Sequence, residues 1–104
     1  MEPNAVTEVV LFKTKQDVDF RKMQTVAKRL DAVLANLDGF IDRELAYDGH
    51  GQWIDIVHWR DRDTALAASR AVLTIRACQP FFALIDERTV NTMHFSPCWQ
   101  QTWT

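Results

Sequence analysis

The segment Gln52-Trp53-Ile54-Asp55-Ile56-Val57-His58-Trp59 decides how the rest of this 104-residue chain reads. It is short, rich in β-branched and aromatic residues, and preceded by the turn signal Asp48-Gly49-His50-Gly51, so it reads as a strand. Alternation puts Ile54, Ile56 and His58 on one side and Trp53, Asp55, Val57 and Trp59 on the other. The first side resembles ordinary core. The second mixes indoles with a carboxylate, which suits a cavity wall better than either water or a dry interior.

Upstream, Phe40–Tyr47 supplies the other arm of a hairpin around that turn. Before it, Phe20, Met23, Val26, Leu30, Val33, Leu34 and Leu37 recur at gaps of three and four, the stripe of an amphipathic helix. Asp17 is the expected N-cap, with Asp19 in the first turn, and Gly39 is the expected C′ residue. Such a helix of roughly 20 residues would be about 30 Å long, enough to cross a four-stranded sheet. Val6–Lys13 is the first strand, with Val9 and Leu11 on one face and Glu8, Val10 and Phe12 on the other.

Downstream, Asp61 or Asp63 caps an Ala-rich helix over Thr64–Ala77. Pro80 interrupts it and, being suited to a first helical turn, starts a separate short helix over Pro80–Glu87. Val90–Phe95 is the last strand. The order strand, helix, strand, strand, helix, short helix, strand predicts an α+β fold: a ferredoxin-like βαββαβ unit with a four-stranded antiparallel sheet and helices on one face. Residues 1–95 form that domain. Residues 96–104 are a tail with two of the four tryptophans, expected to pack on the domain or on a partner.

Composition narrows the function classes. With 47% hydrophobic and 25% charged residues the chain is globular, and its length gives one domain. Eight Arg and four Lys lie scattered among fourteen acids for a formal net charge of −2, which argues against a nucleic-acid partner. No apolar run reaches the ~20 residues of a membrane span, and the opening Met-Glu-Pro-Asn lacks the features of a signal peptide. Cys78 and Cys98, without a CxxC motif, read as thiols of a reducing compartment, so the expected location is cytoplasmic. Nucleotide-binding glycine motifs, the GxSxG elbow and metal-ligand spacings such as HExxH are all missing from the sequence. Neither a metal nor a cofactor is expected.

Two helices cover one side of such a sheet. The aliphatic set Val9, Leu11, Ile54 and Ile56 is expected beneath them, leaving Glu8, Val10, Phe12, Trp53, Asp55, Val57 and Trp59 on the uncovered side. That patch exceeds what a soluble monomer usually exposes, so a second copy is expected to cover it, sheet against sheet, in a homodimer.

These residues resemble the dimeric α+β barrel superfamily and, within it, the antibiotic-biosynthesis-monooxygenase-like family. The similarity runs from Val6 to about Phe95. It is carried by Gly39-Phe40 entering the second strand, by Trp59 followed by polar residues and an Ala-rich helix, and by Pro80-Phe81-Phe82. The resemblance implies two sheets joined across a dimer, with a small-molecule cavity between each sheet and its helices or loops. It also implies that Trp59 stands where cofactor-free monooxygenases place a pocket-lining tryptophan. Asp55 stands where some of them carry an asparagine, a departure that replaces an amide with a carboxylate. The haem-degrading branch combines that tryptophan with a strand-one asparagine and a helix histidine; this chain has no strand-one asparagine and carries Ser69 at the helix position, so haem binding is not implied.

Glu8 and Asp55 are the candidate catalytic residues. Two acids sharing an aromatic, poorly hydrated wall would push at least one carboxyl toward a general base. The competing reading puts Glu8 at the barrel mouth and pairs Asp55 with an arginine such as Arg43. Trp59, Phe12, Val57, Tyr47 and His94 are the candidate substrate-binding residues, although Tyr47 and His94 have no assigned face. Trp53 fits the partner interface. By parity His58 faces the helices as a hydrogen-bonded core histidine, and His50 is solvated in the turn. His58 and His94 lie on strands that flank strand one, too far apart for a joint metal site.

Three functions compete. The first is a cofactor-independent monooxygenase, in which Asp55 or Glu8 deprotonates a phenol or enol that then reacts with oxygen. The second is a non-catalytic ligand-binding or regulatory module. The third, an RNA-binding domain with aromatics on strand three, ranks last because Asp55 and Glu8 would repel phosphate.

Overall fold

The computed structural model describes residues 4–101. Its elements are β1 (Val6–Thr14), α1 (Phe20–Ala35), β2 (Phe40–Tyr47), β3 (Trp53–Trp59), α2 (Arg62–Ala71), α3 (Gln79–Leu84) and β4 (Ile85–Phe95), with a 3-10 turn at Arg76–Cys78 before α3. The sheet is antiparallel in the order β2-β3-β1-β4. This is the expected ferredoxin-like βαββαβ fold.

Local chemistry explains most boundaries. Asp19, not Asp17, is the N-cap of α1: its carboxylate accepts from the Lys22 amide at 2.7 Å, and Asp17 instead makes the preceding turn at a φ of 64°. Helix α1 ends at Ala35, several residues before Gly39. Gly39 has a different task. At a φ of +85° its Cα sits so close to α2 that an added Cβ would lie 2.2 Å from Thr64 Oγ1. That same threonine closes the capping box of α2, with Asp61 accepting from the Thr64 amide at 2.8 Å.

Helix α2 is shorter than expected, and β4 begins at Ile85, inside the stretch read as a helix. The early start of β4 accompanies an irregularity in the β1–β4 pairing. Leu11 pairs with Asn91 but Lys13 pairs with Asp86, so an excess of β4 residues bulges out between them. Thr89 pins the bulge, its hydroxyl accepting from the Lys13 amide at 2.8 Å and donating to the Asp86 carbonyl at 2.6 Å.

The core reverses the expected assignment of the sheet faces. Glu8, Phe12, Trp53, Asp55, Val57 and Trp59 are buried beneath the helices, where they meet Met23, Val26, Leu30 and Leu34 of α1. Val9, Leu11, Ile54 and Ile56 lie half-buried on the side away from the helices, opposite one another in register. The largest apolar side chains decide the matter. Phe12 is 1% exposed and Trp59 2%, and covering each such ring contributes about 1.5–3 kcal/mol. The acids on that face are tolerated because neighbouring strands supply partners for them. Trp53 is therefore an interior residue rather than an interface one; it stacks on Phe20 and packs on Tyr47, ring centroids 5.6 and 4.5 Å away. His58, expected under the helices, lies on the outer face and pairs with Asp42.

In the tail, Trp99 is 82% exposed and does not pack on its own domain; Trp103 lies outside the described residues. No helix among the described residues is long and apolar enough to cross a membrane.

Candidate functional site

Between the sheet and its helices lies a cavity of about 490 Å³, within the ~300–1,000 Å³ range of small-molecule sites. Its floor is Glu8, Val10 and Phe12 of β1 with Asp55, Val57 and Trp59 of β3. Strand alternation brings these six to one surface. Leu30 and Leu34 of α1, Ala68 and Val72 of α2, and Phe81 and Phe82 close it from above. Its rim includes Glu87 and Val90 from the β4 bulge.

The two acids on the floor have different surroundings. Asp55 is held bidentately by Arg43, which reaches in from β2: Nε to Oδ1 is 2.9 Å and Nη2 to Oδ2 is 2.7 Å. The arginine is itself fixed. Its side chain is 6% exposed, Nη1 donates to the Ala27 carbonyl at 3.2 Å, and the guanidinium lies 5.5 Å from the Phe81 ring centre. The exposed Asp31 carboxylate lies 3.5 Å from Nη1, so Asp55 is the buried one of the two acids around this guanidinium.

Among the described residues Glu8 has no arginine partner. Its Oε1 accepts from the Trp59 indole N–H at 3.4 Å, and its Oε2 lies 2.9 Å from His94 Nε2. Glu8 is directly opposite His94 on β4 and Val57 on β3. Trp59, Glu8 and His94 thus form a hydrogen-bonded chain across three adjacent strands.

The structure therefore brings Glu8, Asp55, Trp59, Phe12 and Val57 together on one wall, with His94 bonded to that wall through Glu8. Tyr47 is elsewhere. It lines a separate outer cleft of about 590 Å³ with Phe20, Lys28 and Trp53, and its hydroxyl accepts from the Gly51 amide at 3.0 Å. Arg43 borders both hollows. The pairing of Asp55 with Arg43, the competing reading of that carboxylate, is what the geometry shows.

Sequence reading missed the roof. Leu30 and Leu34 look like core because their spacing is that of any packed helix. Phe81 and Phe82 had a usable signal, since Pro80 fixes the start of a short helix that presents them side by side. Cys78 is buried, and burial pushes its thiol up, partly offset by the nearby Arg43 charge. Among the described residues both cysteines are free, and no group of three or more His, Cys, Asp and Glu is placed to hold a metal ion.

No protein-family model matches this chain, nor does any curated protein. Solved structures do. SnoaB, a cofactor-independent oxygenase from Streptomyces nogalater, superposes with a TM-score of 0.72 at 21% identity, over 93% of this chain and 96% of its own. A candidate antibiotic biosynthesis monooxygenase from Bordetella bronchiseptica gives 0.76 at 11% identity, over 92% and 99%. A dimeric protein of unknown function and ferredoxin-like fold from Bacteroides fragilis gives 0.59 at 14% identity, over 88% and 94%. At these identities the likeness is one of fold.

Proposed function

Starting from a fold shared with the antibiotic-biosynthesis-monooxygenase-like proteins of the dimeric α+β barrel class, we propose that the inner cavity binds an aromatic or enolic small molecule and promotes its oxygenation without a cofactor. Glu8 takes a proton from the substrate's acidic O–H or C–H. The electron-rich anion left behind reacts with dissolved oxygen, and Trp59, Phe12 and Val57 provide the apolar wall against which a planar ring lies. Asp55 contributes as a fixed charge that holds Arg43 at the cavity edge. Tyr47, across the aromatic cluster, acts only through Trp53.

The observation that carries this reading is a buried, hydrogen-bonded carboxylate, next to an indole, on the wall of a cavity lined mainly by apolar side chains. The test is oxygen uptake with 1-naphthol and related electron-rich phenols. Glu8→Gln is expected to lower the rate by 100-fold or more, at the lower end of what general-base removal costs; a variant as fast as the parent protein would refute the assignment.

The Arg43–Asp55 pair favours a second reading, a ligand-binding module without turnover, because it engages one of the two acids in structure. Recovery of a tightly bound phenol chemically unchanged, with no oxygen consumed, would select it.

The outer sheet face supports a homodimer. Val9, Leu11, Ile54 and Ile56 form a contiguous aliphatic patch on the two central strands, away from the helices. A second copy placed sheet to sheet through a two-fold axis would cover it.

A further inference from the structure

The Trp59–Glu8–His94 chain carries a role for the histidine, and it rests on the proposed function of Glu8. We propose that His94 is a positioning residue: its Nε2–H, donated to Glu8 Oε2, holds that carboxylate aimed at the cavity as proton acceptor.

Three observations lead there. Glu8 lines the cavity floor, whereas His94, on the edge strand β4, meets it only through the 2.9 Å contact. A carboxylate that is to take a substrate proton offers only acceptors, so the role proposed for Glu8 requires the imidazole to donate from Nε2, which in the neutral ring leaves the lone pair at Nδ1. The Trp59 indole N–H fixes the other oxygen at 3.4 Å. Each oxygen keeps a free lone pair after these bonds. Glu8 is thus oriented by two donors, without the bidentate guanidinium contact that Arg43 makes with Asp55.

The proton step balances within this set. A substrate O–H or C–H bond breaks, its electron pair stays on the substrate as phenolate or enolate, and the proton becomes the O–H of Glu8. His94 keeps its Nε2 proton throughout.

The test separates the histidine's role from the oxygenation reading. In anaerobic D2O the protein is offered 2-tetralone, an aromatic ketone with an acidic CH2, and deuterium incorporation is followed by mass spectrometry. Exchange is expected to fall 10-fold or more in His94→Leu and to recover to within about 3-fold in His94→Gln, whose amide can donate in place of the imidazole. It is expected to be unchanged in His58→Gln on the opposite face. In parallel, nitrogen-15 spectra of the imidazoles are expected to show His94 in the Nε2–H tautomer, a preference lost in Glu8→Ala. A His94 ring protonated at Nδ1 alone, or a Gln variant as slow as the Leu variant, would overturn the proposal. With the tautomer as expected, absence of exchange in the parent protein would overturn Glu8 as the base and leave His94 as a structural hydrogen bond only.

Discussion

The two faces of one sheet obey opposite rules in this molecule. The face beneath the helices carries every strand tryptophan and two acids, each acid tied to a basic partner on a neighbouring strand: Asp55 to Arg43 on β2, Glu8 to His94 on β4. The face away from the helices is aliphatic along its centre, with Val9 opposite Ile56 and Leu11 opposite Ile54. A solvated face would be polar. The contrast teaches that burial selects for volume and for satisfied charge, whereas an uncovered aliphatic face signals a further surface to be met. Charges under the helices need partners, and the chain supplies them from adjacent strands.

Breaking the inner ion pair gives the largest expected effect. Arg43→Met leaves Asp55 buried without its counter-ion, and the fall in unfolding free energy is expected to be about 3–5 kcal/mol. The double variant Arg43→Met with Asp55→Leu should recover most of that loss, because neither charge is then stranded. Urea titration of the two proteins checks both; equal stability of the single and double variants would mean that the pair is not desolvated.

On the outer face, Ile56→Lys puts an ammonium at the centre of the aliphatic patch. If two copies meet there, dimerisation should weaken by about 2–4 kcal/mol, the loss typical of a central interface residue, and sedimentation equilibrium would show monomer. An unchanged mass distribution would show that the patch is not the contact.

The smallest effect belongs to the outer face's own hydrogen-bonded pair. His58 and Asp42 are bonded but solvent-accessible, with Asp42 well exposed. Asp42→Asn should cost no more than about 1 kcal/mol in the same urea assay, as for other exposed pairs. A loss as large as that of Arg43→Met would remove the distinction between the two faces.

Much of this was legible in the sequence. The period of two in Trp53–Trp59 and the gaps of three and four in α1 established the element types, and the element order established the fold. The short helix after Pro80 followed from the fixed φ of proline. Alternation also sorted the β3 residues into two correct sets, and it put Glu8, Asp55 and Trp59 in the same one. It was silent on which set lies under the helices, since a period of two is symmetric between faces. Composition suggested the aliphatic set, but the buried rings of Phe12 and Trp59 and the arginine of β2 decided otherwise. The bulge in β4 was also hidden, because Ile85-Asp86-Glu87 reads equally well as the end of a helix.

Periodicity and turn chemistry, which act over a few residues, were enough for the sequence itself to determine the strands, the helices and the membership of each face. Which face becomes the cavity floor, which acid is neutralised by an arginine, and which is left for a histidine depend on contacts between strands far apart in the chain. Those contacts exist only once the sheet has formed, so tertiary structure alone decided that Asp55 faces Arg43 while Glu8 faces the Trp59 indole and His94.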